Sequence, residues 1–348
     1  MTLPAKDRRL SVAVVQGGPA SEAEVSRASA ASVARALKHA GHGVVRFELD
    51  LYLADSLRTG GFDVVFPVAH GAVGEDGSLQ GLLELLDLPY VGSGVLASAV
   101  AMNKRTAKIL FAEAGLPVAR GIAARRGAES AGAAAERAVR ELGEKVVVKP
   151  CSNGSAIGVA RFAGGASAAE IAEAIEAAWE VDDTALVEAF APGREVTCGV
   201  FDLGDPAWLP PTEIRAPKDA FYTYQARYAP GRSEHLCPAP LGDRLTRRVQ
   251  EIAVAAHRAL GCRDLSRVDF VVPMVSAEDE ANNETGGGAP VEPTLLEVNT
   301  MPGFTETSLY PEAAGIAGIA MPELCSRLVR AAFERGPTRR NVALPLPK

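Results

Sequence analysis

Short apolar runs alternate with helical patterns through the first hundred residues of the chain. The runs cover residues 10–16, 41–47 and 62–69, and a segment of helical composition that ends at Leu37 separates the first two. A further helix is predicted in S-L-Q-G-L-L-E-L-L, directly after the loop at 70–77. This alternation is typical of a parallel sheet that carries ligand loops at its strand ends. Residues 1–93 are therefore predicted to form an N-terminal substrate domain.

The glycines of 90–94 predict a boundary, and two further α/β domains are predicted after it. The central domain, 94–188, has a helix with Asn103 and Lys104 at its start, strands at 117–122, 145–150 and 184–190, and helices ending at 142 and covering 167–179. The third domain, 189–338, has a helix at 241–260, a strand at 264–272 and a final helix at 321–335. Residues 339–348 read as a tail.

The pattern at 295–308, L-L-E-V-N-T-M-P-G-F-T-E-T-S, carries candidate chemistry. In a buried strand Glu297 and Asn299 lie two residues apart and point to one face. Carboxylate and amide oxygens are ligands that Mg²⁺ accepts. The strand breaks at Pro302-Gly303, where glycine lets the backbone approach a ligand. A core strand with a polar end is the alternative interpretation of the same pattern.

An acidic, glycine-rich segment at 275–292 is predicted to be a loop between two antiparallel strands. Such a pairing brings Arg267 and Asp269, which share one face of the strand at 264–272, beside Glu297 and Asn299. The sequence therefore predicts that a metal-binding strand and an arginine-bearing strand are neighbours. No function is predicted for the acidic loop itself.

Three other loops hold candidate residues, each with a plain structural alternative. Gly17-Gly18 precedes Glu22 near a predicted helix start. The two glycines either let a substrate approach the helix or form only a tight turn. Because the G-x-G-x-x-G spacing of a dinucleotide fold is absent, we do not infer NAD. His70 lies on a predicted ligand loop, although a lone histidine is more often structural. Lys149 closes a buried strand beside a small-residue loop that suits phosphates but lacks the Walker spacing.

Composition and charge narrow the function classes. The net charge of −7 and the scattered Arg-Arg pairs argue against a nucleic-acid partner. No apolar run reaches the length of a membrane span and the N-terminus lacks a signal-peptide core, so we expect a cytoplasmic protein without a membrane partner. Five scattered cysteines with no C-x-x-C pair are expected to be free thiols.

Seven ordered motifs are similar to those of the D-alanine:D-alanine ligases, a family of the ATP-grasp superfamily, and the resemblance covers roughly residues 10–335. They are G-G-P-A-S-E-A-E-V-S (17–26), H-G-x-x-G-E-D-G-S-L-Q-G (70–81), Y-V-G-S-G (90–94), V-V-K-P-x-x-x-G-S (147–155), F-Y-T-Y-Q-A-R-Y (221–228), S-R-V-D-F (266–270) and L-L-E-V-N-T-M-P-G-F-T (295–305). The resemblance implies an α/β ATP-grasp fold of three domains, with ATP held between the central and C-terminal ones.

The resemblance also implies roles for individual residues. Lys104 and Lys149 would contact phosphates, and Glu188 and Glu195 would bind the adenine and ribose side. Asp269, Glu297 and Asn299 would bind the metal ions, and Glu22, Ser155 and Tyr228 would form a hydrogen-bonded set. Arg267 and the Gly303 N–H would contact the oxyanion. His70 and Ser308 would contact the substrates.

The implied reaction joins two D-alanines through an acyl phosphate, with ATP and two Mg²⁺ ions, for which Mn²⁺ is a possible substitute. The alternatives are a relative that makes D-Ala-D-lactate, D-Ala-D-Ser or another dipeptide, and an inactive nucleotide-binding module. A homodimer is a possible assembly of this chain. Three positions depart from the commonest family pattern, Arg227, Ala156 and Ala189. They leave the adenine contacts less well defined than the metal site.

Overall fold

A parallel sheet near the N-terminus opens the fold. The computed structural model describes residues 8–216, 233–274 and 291–337. Strand β1 (Ser11–Gln16) lies between β2 (Gly43–Glu48) and β3 (Val64–Pro67), and both pairings are parallel. Helices α1 (Ala23–His39), α2 (Leu53–Thr59) and α3 (Ser78–Leu85) complete this unit. The predicted parallel α/β unit is thus confirmed, and its strand ends point toward the loops at Gly17 and His70.

Two short helices lead from this unit to the second sheet. They are α4 (Val95–Met102) and α5 (Lys104–Glu113). The sheet has the order β4-β7-β5-β6 and is antiparallel throughout. Its elements in chain order are β4 (Gly121–Arg125), α6 (Ala131–Leu142), β5 (Val146–Pro150), β6 (Ala160–Arg161), α7 (Ala168–Trp179) and β7 (Thr184–Ala189). Helices α6 and α7 pack on it through a core rich in alanine.

The third sheet carries the strand pair predicted from the sequence. Its strands in chain order are β8 (Arg194–Asp202), β9 (Ala207–Trp208), β10 (Thr212–Arg215), β11 (Glu234–Leu236), β12 (Asp264–Val272) and β13 (Thr294–Asn299). Strand β12 lies between β8 and β13 and is antiparallel to both. Arg267 lies opposite Asn299 and Asp269 opposite Glu297, so the predicted neighbours are confirmed. Helix α8 (Asp243–Ala259) covers one face of this sheet through a shared apolar core.

The last two helices return the chain to the first sheet. They are α9 (Leu309–Ile316) and α10 (Met321–Arg335), and Leu324 and Leu328 of α10 share a core with Val33 and Leu37 of α1. Asp264, at the start of β12, accepts a hydrogen bond of 2.7 Å from the Gly92 N–H and pairs with Arg335. The first and third units therefore meet along a continuous interface. The domain boundaries at 93/94 and 188/189 stay a prediction.

The structure corrects two local predictions. The single helix expected to start at Asn103 is preceded by α4, because Asn103 is extended and its side chain caps α5 by accepting a 2.9 Å hydrogen bond from the Thr106 N–H. The strand predicted at 117–122 begins only at Gly121, although Val118 forms an isolated bridge with Leu295. Within the described residues, no helix is long and apolar enough to cross a membrane.

Candidate active site

A cavity of about 430 Å³ lies where the three sheets approach one another. The first unit contributes α1 and the loop at His70, the second contributes the loop after β5, and the third contributes β13 and its turn. The predicted site residues that line this cavity are Glu22, His70, Lys104, Ser155, Arg267, Glu297, Asn299, Gly303 and Ser308. Residues up to 286 positions apart in the chain thus line one cavity, because all three units contribute residues to it.

A second cavity of about 130 Å³ adjoins the first. Apolar side chains of Val147, Ile157 and Leu296 form much of its wall, and the predicted residues Lys149, Glu188 and Glu195 also line it. Lys104 and Glu297 border both cavities. The pair of cavities can therefore take a ligand that has an apolar, flat end in the smaller space and an anionic end near the lysines.

Asp269, one of the two carboxylates of the predicted metal set, is held in a network of hydrogen bonds. It accepts hydrogen bonds from Arg267 Nε (2.9 Å) and Nη2 (2.8 Å), from Thr197 Oγ1 (2.7 Å) and from Asn299 Nδ2 (3.1 Å). Glu297 lies on the neighbouring strand, with its Oε2 atom 3.3 Å from Lys104 Nζ. Cations of the protein therefore compensate both carboxylates.

The chemistry of this donor set fits a hard divalent ion, since it combines two facing carboxylates with an amide that can offer its oxygen. No cluster of three or more His, Cys, Asp or Glu side chains suited to a metal occurs in the ranges that the structure covers. The amide of Asn299 is therefore needed as the third donor. Asp269 itself does not border either cavity described above, so Glu297 and Asn299 would be the more accessible of the three.

Three lysines and a buried glutamate form a charged cluster at the smaller cavity. Lys104, Lys149 and Glu188 line that cavity, and Lys108 lies behind Glu188. Glu188 lies between Lys149 and Lys108, each ammonium 2.6 Å from a different carboxylate oxygen. Lys104 Nζ donates to the Asn153 carbonyl at 2.5 Å. Sequence reasoning missed Lys108, although its position four residues after Lys104 places both on one face of α5.

The pKa values of the two lysines shift in opposite directions. Burial by itself raises the pKa of Glu188, but the two ammonium groups outweigh it and lower the pKa overall. Burial lowers the pKa of Lys108, and Glu188 offsets only part of this effect. For Lys149 burial acts in the same direction, but Glu188 and Glu297 outweigh it and the pKa is raised. Glu188 is therefore ionised at neutral pH.

Glu22 and Ser155 join the first unit to the second across the larger cavity. The Ser155 hydroxyl donates a short hydrogen bond to Glu22, and both side chains are buried. Ser155 and Ala156 both have a positive φ, 52° and 56°, a conformation that costs energy for residues other than glycine. The loop is thus held in a strained shape that aims Ser155 at Glu22. Tyr228, the third predicted member of this set, and the departure Arg227 lie outside the described residues.

The turn after β13 presents Gly303 and Ser308 to the larger cavity. Ser308 Oγ accepts a hydrogen bond from the Thr305 N–H (3.0 Å) and lies 2.7 Å from Thr305 Oγ1. A Cβ atom on Gly303 would lie 2.9 Å from Ser308 Oγ, which is closer than real contacts. Glycine therefore keeps the approach to the Ser308 hydroxyl open. The Phe304 N–H donates to Ser29 Oγ of α1 at 3.1 Å and so fixes the turn against the first unit.

Glu195 pairs with Arg161, whose Nη1 atom lies 3.2 Å from it, and the Arg161 guanidinium lies over the Phe190 ring at 5.4 Å. Ala156 and Ala189, two of the family departures, line the same smaller cavity. Arg161 was not predicted, because it belongs to none of the motifs in the sequence. The apolar contacts of this cavity thus include positions where the chain departs from the common pattern.

His70 is buried beside Glu75. Its Nδ1 atom lies 3.8 Å from Glu75 Oε1, and its Nε2 atom lies 3.5 Å from Ser29 Oγ. Burial lowers the pKa of His70, but the hydrogen bond and charge of Glu75 and the charge of Glu22 outweigh burial, so the pKa is raised above its ordinary value. The folded protein therefore holds a proton on His70 more tightly than the unfolded chain does.

This raised pKa predicts a pH dependence of stability. The stabilisation by protonated His70 is fully present below about pH 6.5, the unfolded value, and is lost as pH rises through the folded pKa. We expect the free energy of unfolding of the wild type to fall over that interval and His70→Gln to reduce this fall. Urea unfolding at a series of pH values measures it. His39→Gln, an exposed histidine on α1, is the control and should keep the wild-type slope; an unchanged slope in His70→Gln would contradict the assignment.

Comparisons with known proteins agree on one family. Residues 110–330 match the family described as D-ala D-ala ligase C-terminus, and residues 52–93 match D-ala D-ala ligase N-terminus. The D-alanine–D-alanine ligase of Desulforamulus reducens is 40% identical over 94% of this chain and 99% of its own length, and that of Geobacter sulfurreducens is 43% identical over 91% and 92%.

Solved structures give the same result for the fold. The D-alanine–D-alanine ligase of Coxiella burnetii has a TM-score of 0.75 at 27% identity and covers 94% of both chains. The Bacillus anthracis enzyme in complex with ATP also has a TM-score of 0.75, at 26% identity, over 94% of this chain and 98% of its own. These similarities confirm the predicted ATP-grasp fold with three α/β units. The chain belongs to the D-alanine–D-alanine ligase family.

Proposed function

We propose that the protein is an ATP-dependent ligase that joins two D-alanines into D-alanyl-D-alanine for cell-wall precursor synthesis. One observation carries the proposal: Arg267, Glu297, Asn299, Lys104, Glu22 and Ser155 line a single cavity that adjoins a second one lined by Lys149 and Glu188. A carboxylate can approach an anionic phosphate only where cations neutralise both. The family names of the relatives support the choice of D-alanine.

ATP fits the adjoining cavities with its base in the smaller one. Val147, Ile157 and Leu296 supply apolar contacts there, while Glu195 and Glu188 lie toward the adenine and ribose side. Lys104 and Lys149 then face the phosphates, because both border the smaller cavity and Lys104 also borders the larger. The γ-phosphate thus lies at the junction of the cavities, next to Glu297.

The first chemical step transfers the γ-phosphoryl group to a carboxylate oxygen of the first D-alanine and releases ADP. The Glu22–Ser155 link is placed beside this substrate in the proposal, since Glu22 and His70 both line the larger cavity and the charge of Glu22 acts on His70. Lys104 and Lys149 compensate the negative charge on the phosphates. The product of the step is an acyl phosphate.

In the second step the neutral amine of the second D-alanine attacks the acyl carbonyl. The C–N bond forms, the C–O bond to phosphate breaks, and the proton lost by the nitrogen passes to the departing phosphate. Arg267 and the Gly303 N–H stabilise the negative charge that develops on the carbonyl oxygen. The Ser308 hydroxyl binds the carboxylate of the second substrate from the same turn.

Asp269, Glu297 and Asn299 are proposed to hold two Mg²⁺ ions, with Mn²⁺ as a possible substitute. When bound, these ions neutralise charge on the phosphate oxygens. Arg267 and Lys104 already compensate Asp269 and Glu297, so the protein supplies positive charge on both sides of the carboxylates. A cytoplasmic location and a homodimer belong to the proposal as well.

The function is tested by incubating the purified protein with ATP, Mg²⁺ and D-alanine. We expect ADP, phosphate and D-alanyl-D-alanine in equal amounts, and no dipeptide from L-alanine. Dipeptide is identified by mass spectrometry. A screen with D-lactate or D-serine as the second substrate distinguishes the related ligases, and absence of any product with D-alanine under varied conditions would overturn the proposal.

A further inference from the structure

Lys108 is a buried cation that lies beside the proposed nucleotide site but borders neither of the two cavities. Its side chain is 9% exposed, and its Nζ atom lies 2.6 Å from Glu188 Oε1 and 3.4 Å from the Leu295 carbonyl oxygen. It thus joins α5, β7 and β13, the strand that carries Glu297. Among the described residues that line the smaller cavity are both Lys149 and Glu188, but not Lys108.

The charges of this cluster explain why a second lysine is needed. Glu188 is 4% exposed and its carboxylate is shared, one oxygen with Lys108 and the other with Lys149. Two ammonium groups thus divide one negative charge, and one positive charge is left over beside the cavity. If Lys108 were neutral, Glu188 would cancel Lys149 completely, and a phosphate approaching Lys149 would meet a neutral ion pair.

We propose that Lys108 is a positioning residue for the nucleotide: it takes up half of the Glu188 carboxylate and so leaves the Lys149 ammonium able to bind ATP phosphate. Lys108 acts through Glu188 and does not touch the nucleotide. The inference rests on the proposed binding of ATP in the smaller cavity. It requires no particular amino-acid substrate, so it can be tested by nucleotide binding alone.

The central variant is Lys108→Met, which keeps most of the length of the side chain and removes its charge. We expect the Kd for a non-hydrolysable ATP analogue with Mg²⁺ to rise at least about tenfold, as measured by isothermal titration calorimetry, and the KM for D-alanine to change little. Arg105→Met is the matched control, because it removes an exposed cation from the same helix. It should bind the analogue like the wild type.

A charge-balance variant separates this role from a loss of packing. Lys108→Met/Glu188→Gln removes one cation and its shared anion together, so Lys149 again has a free charge. We expect the double variant to bind the analogue at least threefold more tightly than Lys108→Met, whereas a packing defect would make the double variant worse. Thermal unfolding of each variant shows that it is folded.

The outcomes for the two proposals can be told apart. If the wild type fails to bind the analogue, the proposed function fails. If the wild type binds and Lys108→Met binds equally well, the role of Lys108 is overturned. It is also overturned if the double variant binds no more tightly than Lys108→Met. Weaker binding in Lys108→Met together with recovery in the double variant supports it.

Discussion

Replacing Arg267 with alanine is expected to lower kcat for dipeptide formation at least about a hundredfold. One lost oxyanion donor costs roughly 3 kcal/mol of transition-state stabilisation. Arg267 borders the larger cavity and is fixed in place by two hydrogen bonds to Asp269. Its guanidinium is therefore already oriented before the substrate arrives. The KM for ATP should change less than kcat, because the stabilised charge develops only during the reaction.

Steady-state kinetics at saturating ATP and D-alanine measure this effect. Arg248→Ala is the matched control, since Arg248 forms a surface ion pair with Glu292 on the same sheet unit, away from both cavities. It should retain the wild-type kcat. Lys at position 267 keeps the charge but not the paired geometry, so Arg267→Lys should fall between the wild type and Arg267→Ala. A near-normal kcat in Arg267→Ala would remove this residue from the mechanism.

The pairing of the two strands that carry the proposed metal ligands could be predicted because its information is local. The two-residue period in L-L-E-V-N and in S-R-V-D-F predicts which side chains share a face, and the closeness of the two segments in the sequence predicts that they are antiparallel neighbours. The acidic segment predicted to connect them lies for the most part outside the described residues. The pairing of Arg267 with Asn299 and of Asp269 with Glu297 follows, even though the register shifts just after Asp269. The roles assigned to these residues stay predictions.

The buried lysine cluster could not be predicted because it depends on three distant elements. The resemblance implied that Glu188 faces adenine and ribose. Glu188 does line the smaller cavity, but its two carboxylate oxygens pair with Lys108 and Lys149. Lys108 has a helical position that also suits a solvated face. Only the tertiary structure, in which Lys108 pairs with Glu188 of β7 and donates to the Leu295 carbonyl of β13, shows that its ammonium is buried.

The packing of α10 against α1 also could not be predicted from local sequence patterns. The bounds of the last helix, Met321–Arg335, were predicted as the structure has them. Its apolar face, however, only says that the helix is buried against something. That its partner is α1, nearly three hundred residues earlier, depends on the whole chain path. Sequence periodicity thus gives an element and its buried face, while the partner follows from tertiary packing.

Replacing Glu297 with glutamine is expected to have the largest effect on activity, about a thousandfold or more in kcat. The amide keeps the size of the side chain but removes a full negative charge between Lys104 and the proposed Mg²⁺ site. Loss of a metal-bound carboxylate weakens charge compensation at the phosphates by several kcal/mol, and about 4 kcal/mol corresponds to a thousandfold.

The variant separates metal binding from general disruption of the strand. If Glu297 binds Mg²⁺, the Mg²⁺ concentration needed for half-maximal activity should rise at least about tenfold in Glu297→Gln. Mn²⁺ should recover part of the rate of this variant, because it binds nitrogen and oxygen donors more tightly than Mg²⁺ does. Glu292→Gln, just before β13, makes the same chemical change at an exposed ion pair and should match the wild type in both measurements. An unchanged metal requirement in Glu297→Gln would remove Glu297 from the metal site.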